Sequence, residues 1–376
     1  MTDKCLLCPA LISEENYTEE HVIPNALGGF RKVTGFICNS CNRNTGSSWE
    51  AALAKQLESL AVLLNIKRDR GEVKPRAFKT ESGKSVHLSP DGTMKLAIPD
   101  IGDAVPTGNN GFTIKARVGD MKQAKKLAEG LSRKHKQATR IGFKFTESTT
   151  PAEPLIINLN FGGDDSGRSL IKSCLAQLKY SGIDPHICDD AVRYLINENQ
   201  VACFGYYYTK DIVVNRPLNV PLHALYIRGD SVRRKVLAYI EVYGCQRMVG
   251  CLASSYVGDN FETSYAINPM SGEELNLTFN LELNDKELQD VYDYKHFDMD
   301  CYKDAIASVA IAVRFQSVQN QFKVELEESQ KAALEHFNLS CISQLTEENH
   351  NEFVGIISQR MTDFYIENVI RAKYSK

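Results

Sequence analysis

Four of the eleven cysteines stand in two CxxC pairs near the start of the chain, Cys5 with Cys8 and Cys38 with Cys41. Each pair aims two thiolates at one ion, and the roughly 30 residues between the pairs close as a loop, so the spacing matches a tetrahedral four-cysteine zinc site. A module of two short strands and a helix buries too little apolar surface to fold alone, and a structural zinc supplies folding free energy directly. Between the pairs runs TEEHVIPNALGG, which sets carboxylates and an imidazole side by side at Glu19, Glu20 and His21, and the second pair runs straight into Asn42. The remaining seven cysteines, at 174, 188, 203, 245, 251, 301 and 341, are scattered singly and read as small buried hydrophobes.

Taken in order, the two knuckles, the acid–histidine dipeptide, Pro24, Gly28-Gly29 and the closing CxxCN resemble the HNH endonucleases, in the subgroup whose CxxC pairs frame a motif like EHIIPxALGG. The likeness spans roughly residues 5 to 64. It implies a ββα-metal fold and hydrolysis of nucleic-acid phosphodiester bonds, with double-stranded DNA as the expected partner. That chemistry needs an activated water in line with the leaving oxygen and a cation to neutralise charge on the phosphate. On the resemblance, His21 is the general base, its ordinary pKa of about 6.5 leaving a neutral imidazole at neutral pH. Glu20 is the acidic metal ligand and Asn42 the second protein ligand. Oxygen ligands with open positions suit Mg2+ or Mn2+ better than a second zinc.

The chain departs from the family pattern twice. The position of the middle Asn is taken by Val33, with Thr34 beside it. The acid is Glu with a second glutamate, Glu19, before it; Glu20 is preferred because it directly precedes the histidine, and Glu19 reads as solvated. Arg31 and Lys32, between the expected strands, are candidate nucleic-acid contacts or plain turn residues.

What must position these groups is a short hairpin and a helix. In SSWEAALAKQLESLAVLLNI the apolar residues Trp49, Leu53, Leu57, Leu60, Ala61 and Leu64 repeat at helical spacing, with Gly46 and Ser47 opening the helix and Trp49 on its core face. Between Lys67 and Phe145 there are 18 Lys or Arg against 8 Asp or Glu, a surplus of 10, while the whole chain carries -3. A basic stretch directly behind a nuclease candidate suits a phosphate backbone, with a solvated face as the plain alternative. Strand-like runs (SVHLS, TMKLAIP, FTIKARV) and a basic helix, MKQAKKLAEGLSRKHKQ, fill it. A linker at 146–154 leads to LIINLNF, read as a buried strand, and to a helix with its apolar face at Leu170, Ile171, Cys174, Leu175 and Leu178. Strands follow at VACFGYYY, LHALYIR, VLAYIEVYG and RMVGCLASSYV, then long helices after Asp285.

The expected fold class is therefore α+β in three parts: an HNH zinc module over 1–66, a mixed basic section over 67–150, and an α+β domain over 151–376 ending in long helices. FGGDDSG at 161–167 lacks the GK[ST] of a phosphate cradle and reads as a turn with a helix N-cap. No apolar run nears the ~18 residues of a membrane span, and the N-terminus lacks a secretory signal, which predicts a cytoplasmic protein. An HNH module beside a large motif-free region resembles, in layout alone, bacterial defence and restriction-type nucleases with a targeting or sensor domain. That layout admits an activating ligand, and the long helices admit a homodimer. The alternatives are a zinc-dependent nucleic-acid-binding protein without cleavage, and an RNase or toxin using the same module.

Overall fold

Two short strands and a helix carry the motif residues. β1 (Glu19–His21) pairs antiparallel with β2 (Lys32–Thr34), setting Glu20 opposite Val33 and His21 opposite Lys32. The chain between them turns through a 3-10 segment at Asn25–Leu27 and then Gly28, at φ 92°. Gly29 lies so close to the Ile23 carbonyl that a Cβ there would stand 1.8 Å from the oxygen. Both glycines of the motif are thus sterically required, one for its left-handed backbone and one for the close approach. Helix α1 (Asn39–Thr45) starts inside the second knuckle and continues through a π turn at Gly46–Glu50 into α2 (Ala51–Leu63). The helix therefore opens at the knuckle, and Gly46 and Ser47 lie in its π turn instead of capping it.

The computed structural model describes residues 4–107, 111–135, 142–146, 153–197 and 200–371. In the middle section β3 (Arg76–Thr80), β4 (Ser85–Leu88) and β5 (Met94–Leu96) form a sheet, and β6 (Asp100–Thr107) and β7 (Gly111–Arg117) form a separate hairpin. The basic helix follows as α3 (Met121–Lys134), capped by Asp120, whose side chain accepts from the Gln123 amide. Most of the linker expected at 146–154 lies outside the described residues. The buried strand expected at LIINLNF is reduced to β8 (Leu155–Ile156), which adds two residue pairs to the edge of β3. Ile156 and Ile157 are exposed there.

The C-terminal part is built on α4 (Asp164–Tyr180), α5 (Asp189–Ile196) and a six-stranded antiparallel sheet. Its strands are β9 (Phe204–Tyr206), β10 (His223–Asp230), β11 (Lys235–Val242), β12 (Gln246–Ala253), β13 (Phe261–Asn268) and β14 (Glu273–Glu274), in the order β14-β13-β10-β11-β12-β9. The helices α6 (Asp285–Tyr292), α7 (Met299–His336) and α8 (Glu347–Tyr365) follow, α7 as one unbroken helix that packs on α8. Among the described residues no helix is long and apolar enough to cross a membrane.

Helix α4 decides how the parts meet. Its sequence predicts one apolar face, yet every residue from Ser166 to Leu178 is buried, polar ones included. The sheet covers one side; α2 and the β1–β2 hairpin cover the other. A helix buried all round normally reads as apolar throughout, so Lys172 and Gln177 need partners. The N-terminal module supplies Glu20 and Glu50 to Lys172 and Arg31 to the Gln177 side-chain oxygen, while the Gln177 amide nitrogen donates to Thr263 Oγ1 (2.8 Å) and the Ser264 carbonyl (3.2 Å) of β13. A second tie is His223 on β10, fully buried, with Nε2–H donating to the Leu27 carbonyl (2.9 Å) and Nδ1 accepting from the Tyr243 amide (3.1 Å). Burial holds its pKa down to about 4, so the ring is neutral.

Candidate active site and zinc knuckle

The four knuckle sulfurs of Cys5, Cys8, Cys38 and Cys41 lie within 4.8 Å of one another. Zinc–sulfur bonds of ~2.3 Å in a tetrahedron give sulfur–sulfur edges of about 3.8 Å. The Cys8–Cys38 separation is 3.7 Å, and the Cys38 amide donates to the Cys5 sulfur at 3.3 Å. Donor number, donor type and spacing all fit a structural zinc. Among the described residues these four form the one such cluster of Cys, His, Asp or Glu.

Side chains alternate across a strand, and β1 therefore divides its three residues between two environments. Glu19 and His21 point to an open face. There the His21 Nε2 lies 3.1 Å from Asp69 Oδ2, and Asp69 also takes Lys32 Nζ at 2.7 Å. Arg70 reaches Glu19 at 3.4 Å and Asp69 at 3.6 Å. Partial burial lowers the His21 pKa, against the opposing pull of Asp69. The imidazole is accordingly neutral at neutral pH and able to accept a proton.

Glu20 points the other way. It is 3% exposed and pairs with Lys172 Nζ at 2.5 Å; Lys172, itself 1% exposed, also pairs with Glu50 and meets Thr45 Oγ1 at 3.2 Å. Burial pushes the Glu20 carboxyl up, Lys172 draws it down, and the neighbouring Glu50 adds to the rise.

Residues 5–58 match the family model described as HNH endonuclease. Over these residues the chain is similar to the HNH endonucleases, and the four-cysteine cluster is consistent with a zinc-knuckle HNH module at the N-terminus. No curated protein and no solved structure matches the chain. The HNH match implies nuclease activity on a nucleic acid in general terms.

Within the HNH module, Asn42 sits in the first turn of α1 with its amide nitrogen donating to Thr18 Oγ1 (2.8 Å) and the Glu19 carbonyl (3.2 Å). This fixes the amide beside β1. Val33, at the place of the family's middle Asn, is buried under the hairpin opposite Glu20. Of the two basic loop residues, Lys32 joins the His21 face. Arg31 is engaged elsewhere: its guanidinium holds Glu274 (2.6 Å) and Gln177 (3.2 Å) and stacks on Tyr265 and Tyr180. It fastens the hairpin to the C-terminal domain.

The sequence reading named Glu20, His21 and Asn42 as the catalytic set and Arg31 and Lys32 as nucleic-acid contacts, and missed Asp69, Arg70, Glu50 and Lys172. Asp69 and Arg70 lie in the charged connector after α2, where a DR pair looks like any solvated turn. Lys172 had a signal, a lysine in the middle of SLIKSCLAQL, whose flanking hydrophobes leave it little room to reach water.

Proposed function

We propose that the HNH module hydrolyses phosphodiester bonds of DNA, with His21 as general base and Asp69 as the residue that orients it. The observation that carries this reading is the His21 Nε2 to Asp69 Oδ2 contact of 3.1 Å on the open face of β1, flanked by Lys32 and Arg70. A carboxylate accepts the Nε2 proton, so Nδ1 is the nitrogen left to take a proton from water, the arrangement that fixes a catalytic tautomer. Lys32 and Arg70 are placed to exchange their carboxylate partners for phosphate oxygens.

Oxygen donors suit a hard ion, and a bound Mg2+ or Mn2+ supplies charge neutralisation at the phosphate and the leaving oxygen. The Asn42 amide oxygen would hold it. We assign the acidic ligand to Glu19, on the histidine's side, in preference to Glu20, which the sequence motif favours but which Lys172 engages in the interior. The basic α3 behind the module is suited to grip the duplex backbone, and the α+β domain to target or sense. Cutting both strands calls for two copies, and exposed Ile311 and Phe315 on α7 suit a homodimer contact.

The full-length protein incubated with supercoiled plasmid, and separately with RNA, in Mg2+ or Mn2+, tests the reading beside His21→Ala. Nicking by the wild type that falls by roughly 100-fold or more in the variant, at unchanged Tm, supports it. Equal nicking by both proteins, or none with either metal, overturns it in favour of a binding protein. RNA cut in preference to DNA moves the module to the RNase reading.

A further inference from the structure

A cavity of about 160 Å³ lies where α2 of the HNH module meets the first turn of α4 and the end of the six-stranded sheet. Its walls are aromatic: Phe161, Tyr194, Phe204 and Tyr206, with Leu57 and Met248 closing it from the module and the sheet. The rings come close to α4 because position 167 is glycine; a Cβ there would stand 2.6 Å from the Tyr194 hydroxyl and 2.8 Å from Phe204. A volume of this size is that of an engineered cavity of ~150 Å³ that admits one benzene ring.

The polar groups are few and pointed. Ser166, in the first turn of α4, is 3% exposed, lines the cavity, and its hydroxyl has no hydrogen-bond partner. A buried hydroxyl without a partner costs roughly 1 to 3 kcal/mol, which a ligand atom in the cavity would offset. Gln246 and Gln56, able to donate and accept, Asp164, and the hydroxyl-bearing Tyr194, Tyr206 and Tyr294 also line it, and among the described residues the lining contains no Lys, Arg or His. The helix N-terminus alone would favour an anion, but Asp164 and Asp165 in its first turn already occupy that role. A phosphate is therefore disfavoured, and Asp164, which only accepts, favours a ring bearing an exocyclic amine over one bearing a carbonyl in its place.

We infer that this cavity binds a single uncharged heteroaromatic ring with an exocyclic amine, a base of the cytosine type, stacked on the tyrosine and phenylalanine walls and hydrogen-bonded to Ser166. The ring comes either from a free nucleoside or from a base turned out of a strand. The site also bears on the nuclease module. Gln56 of α2 clamps the cavity rim at Gly162 through two hydrogen bonds, 2.6 and 3.1 Å, and α4 runs on to Lys172 and Gln177, which hold Glu20 and Arg31 of the hairpin. Filling the cavity thus tightens the elements on which β1 rests.

The experiment is a calorimetric titration of the full-length protein with cytidine and with uridine, beside Ser166→Ala, together with hydrogen exchange at the β1 and β2 amides. Cytidine is expected to bind at least 10-fold more tightly than uridine and to lose at least 10-fold in Ser166→Ala. Ligand-free Ser166→Ala should keep or raise its Tm, since the hydroxyl it removes is unpaired. β1 amides should exchange more slowly with cytidine present. A cytosine-containing oligonucleotide that displaces cytidine identifies the strand as the source, and one that does not identifies the free nucleoside. No cytidine binding, equal binding of uridine, or equal affinity in Ser166→Ala overturns the site, and unchanged exchange overturns its link to the hairpin. None of these readouts requires cleavage, so their failure is separate from that of the hydrolase reading.

Discussion

Glu20 and His21 are neighbours in sequence and belong to two different sites. On the open face of β1, His21 sits among Asp69, Lys32, Arg70 and Glu19, a set of partly exposed charges paired with one another. On the closed face, Glu20, Lys172 and Glu50 are locked between the hairpin and α4. The difference follows from the two-residue period of a strand: adjacency in a motif places consecutive side chains on opposite sides. One face is suited to exchange ligands, and the other to hold two domains in register.

The largest expected effect lies on the closed face. Lys172→Met leaves Glu20 and Glu50 without their cation, and breaking a buried ion pair by removing one partner costs about 3 to 5 kcal/mol. Denaturant unfolding should show a loss of that order, partly restored in Lys172→Met with Glu20→Gln. A loss below ~1 kcal/mol would mean that the closed face behaves like an exposed salt bridge, and the contrast between the two sides of β1 would fail.

The second tie of the same seam is read through pH. His223 is neutral in the fold with a pKa near 4, whereas in the unfolded chain its ordinary value is about 6.5. Between these values the unfolded state binds the proton and the folded state does not. Stability is therefore fully present above about pH 6.5 and falls as pH drops toward 4, by on the order of 3 kcal/mol from this group. His223→Gln should show a flatter stability profile over that window when unfolding is measured at several pH values. Parallel profiles for the two proteins would remove His223 as the cause.

The zinc knuckle was legible in the sequence because its chemistry is local: four sulfurs at fixed offsets define the site without reference to the rest of the chain. His21 and Asn42 could be named as candidates for the same reason, from a local motif. The split of β1 was less so, because which face of a three-residue strand is closed depends on α4, more than 130 residues away. The same holds for α4 itself. Its apolar stripe was readable, but Lys172 is buried because residues of the N-terminal part cover it, and Gln177 because it lies between Arg31 and β13. LIINLNF failed as a buried strand for the converse reason: only Leu155 and Ile156 pair, at the edge of β3, and Ile156 and Ile157 stay exposed, while Leu155, Leu159 and Phe161 pack, partly buried, on the core. The motif's ALGG, in contrast, is explained by backbone demands that only glycine meets at Gly28 and Gly29.

The two glutamates test the comparison at the level of chemistry. Glu19→Gln is expected to lower cleavage on the order of 100-fold and to raise the Mg2+ concentration needed for half-maximal rate. Glu20→Gln should leave the metal dependence unchanged, since its carboxyl meets Lys172 and not the open face. A metal titration that shifts for Glu20→Gln and not for Glu19→Gln would return the acidic ligand to the position the family motif favours, with Glu20 leaving Lys172 to reach the ion.

The smallest effect expected is the most informative about the open face. Asp69 lies on the connector, touches no reacting atom in the proposed mechanism, and acts through His21 by holding its Nε2 proton. Asp69→Asn should reduce kcat roughly 10-fold with little change in KM or Tm. Asp69 also favours the protonated imidazole, opposing the downward pull of burial on the His21 pKa. Its loss should therefore move the acid limb of the pH–rate profile to lower pH. A residue that only stabilised the connector would lower Tm and leave that limb in place, and a residue that only contacted DNA would raise KM. Either result would detach Asp69 from His21 and reduce the open face to an ordinary cluster of surface charges.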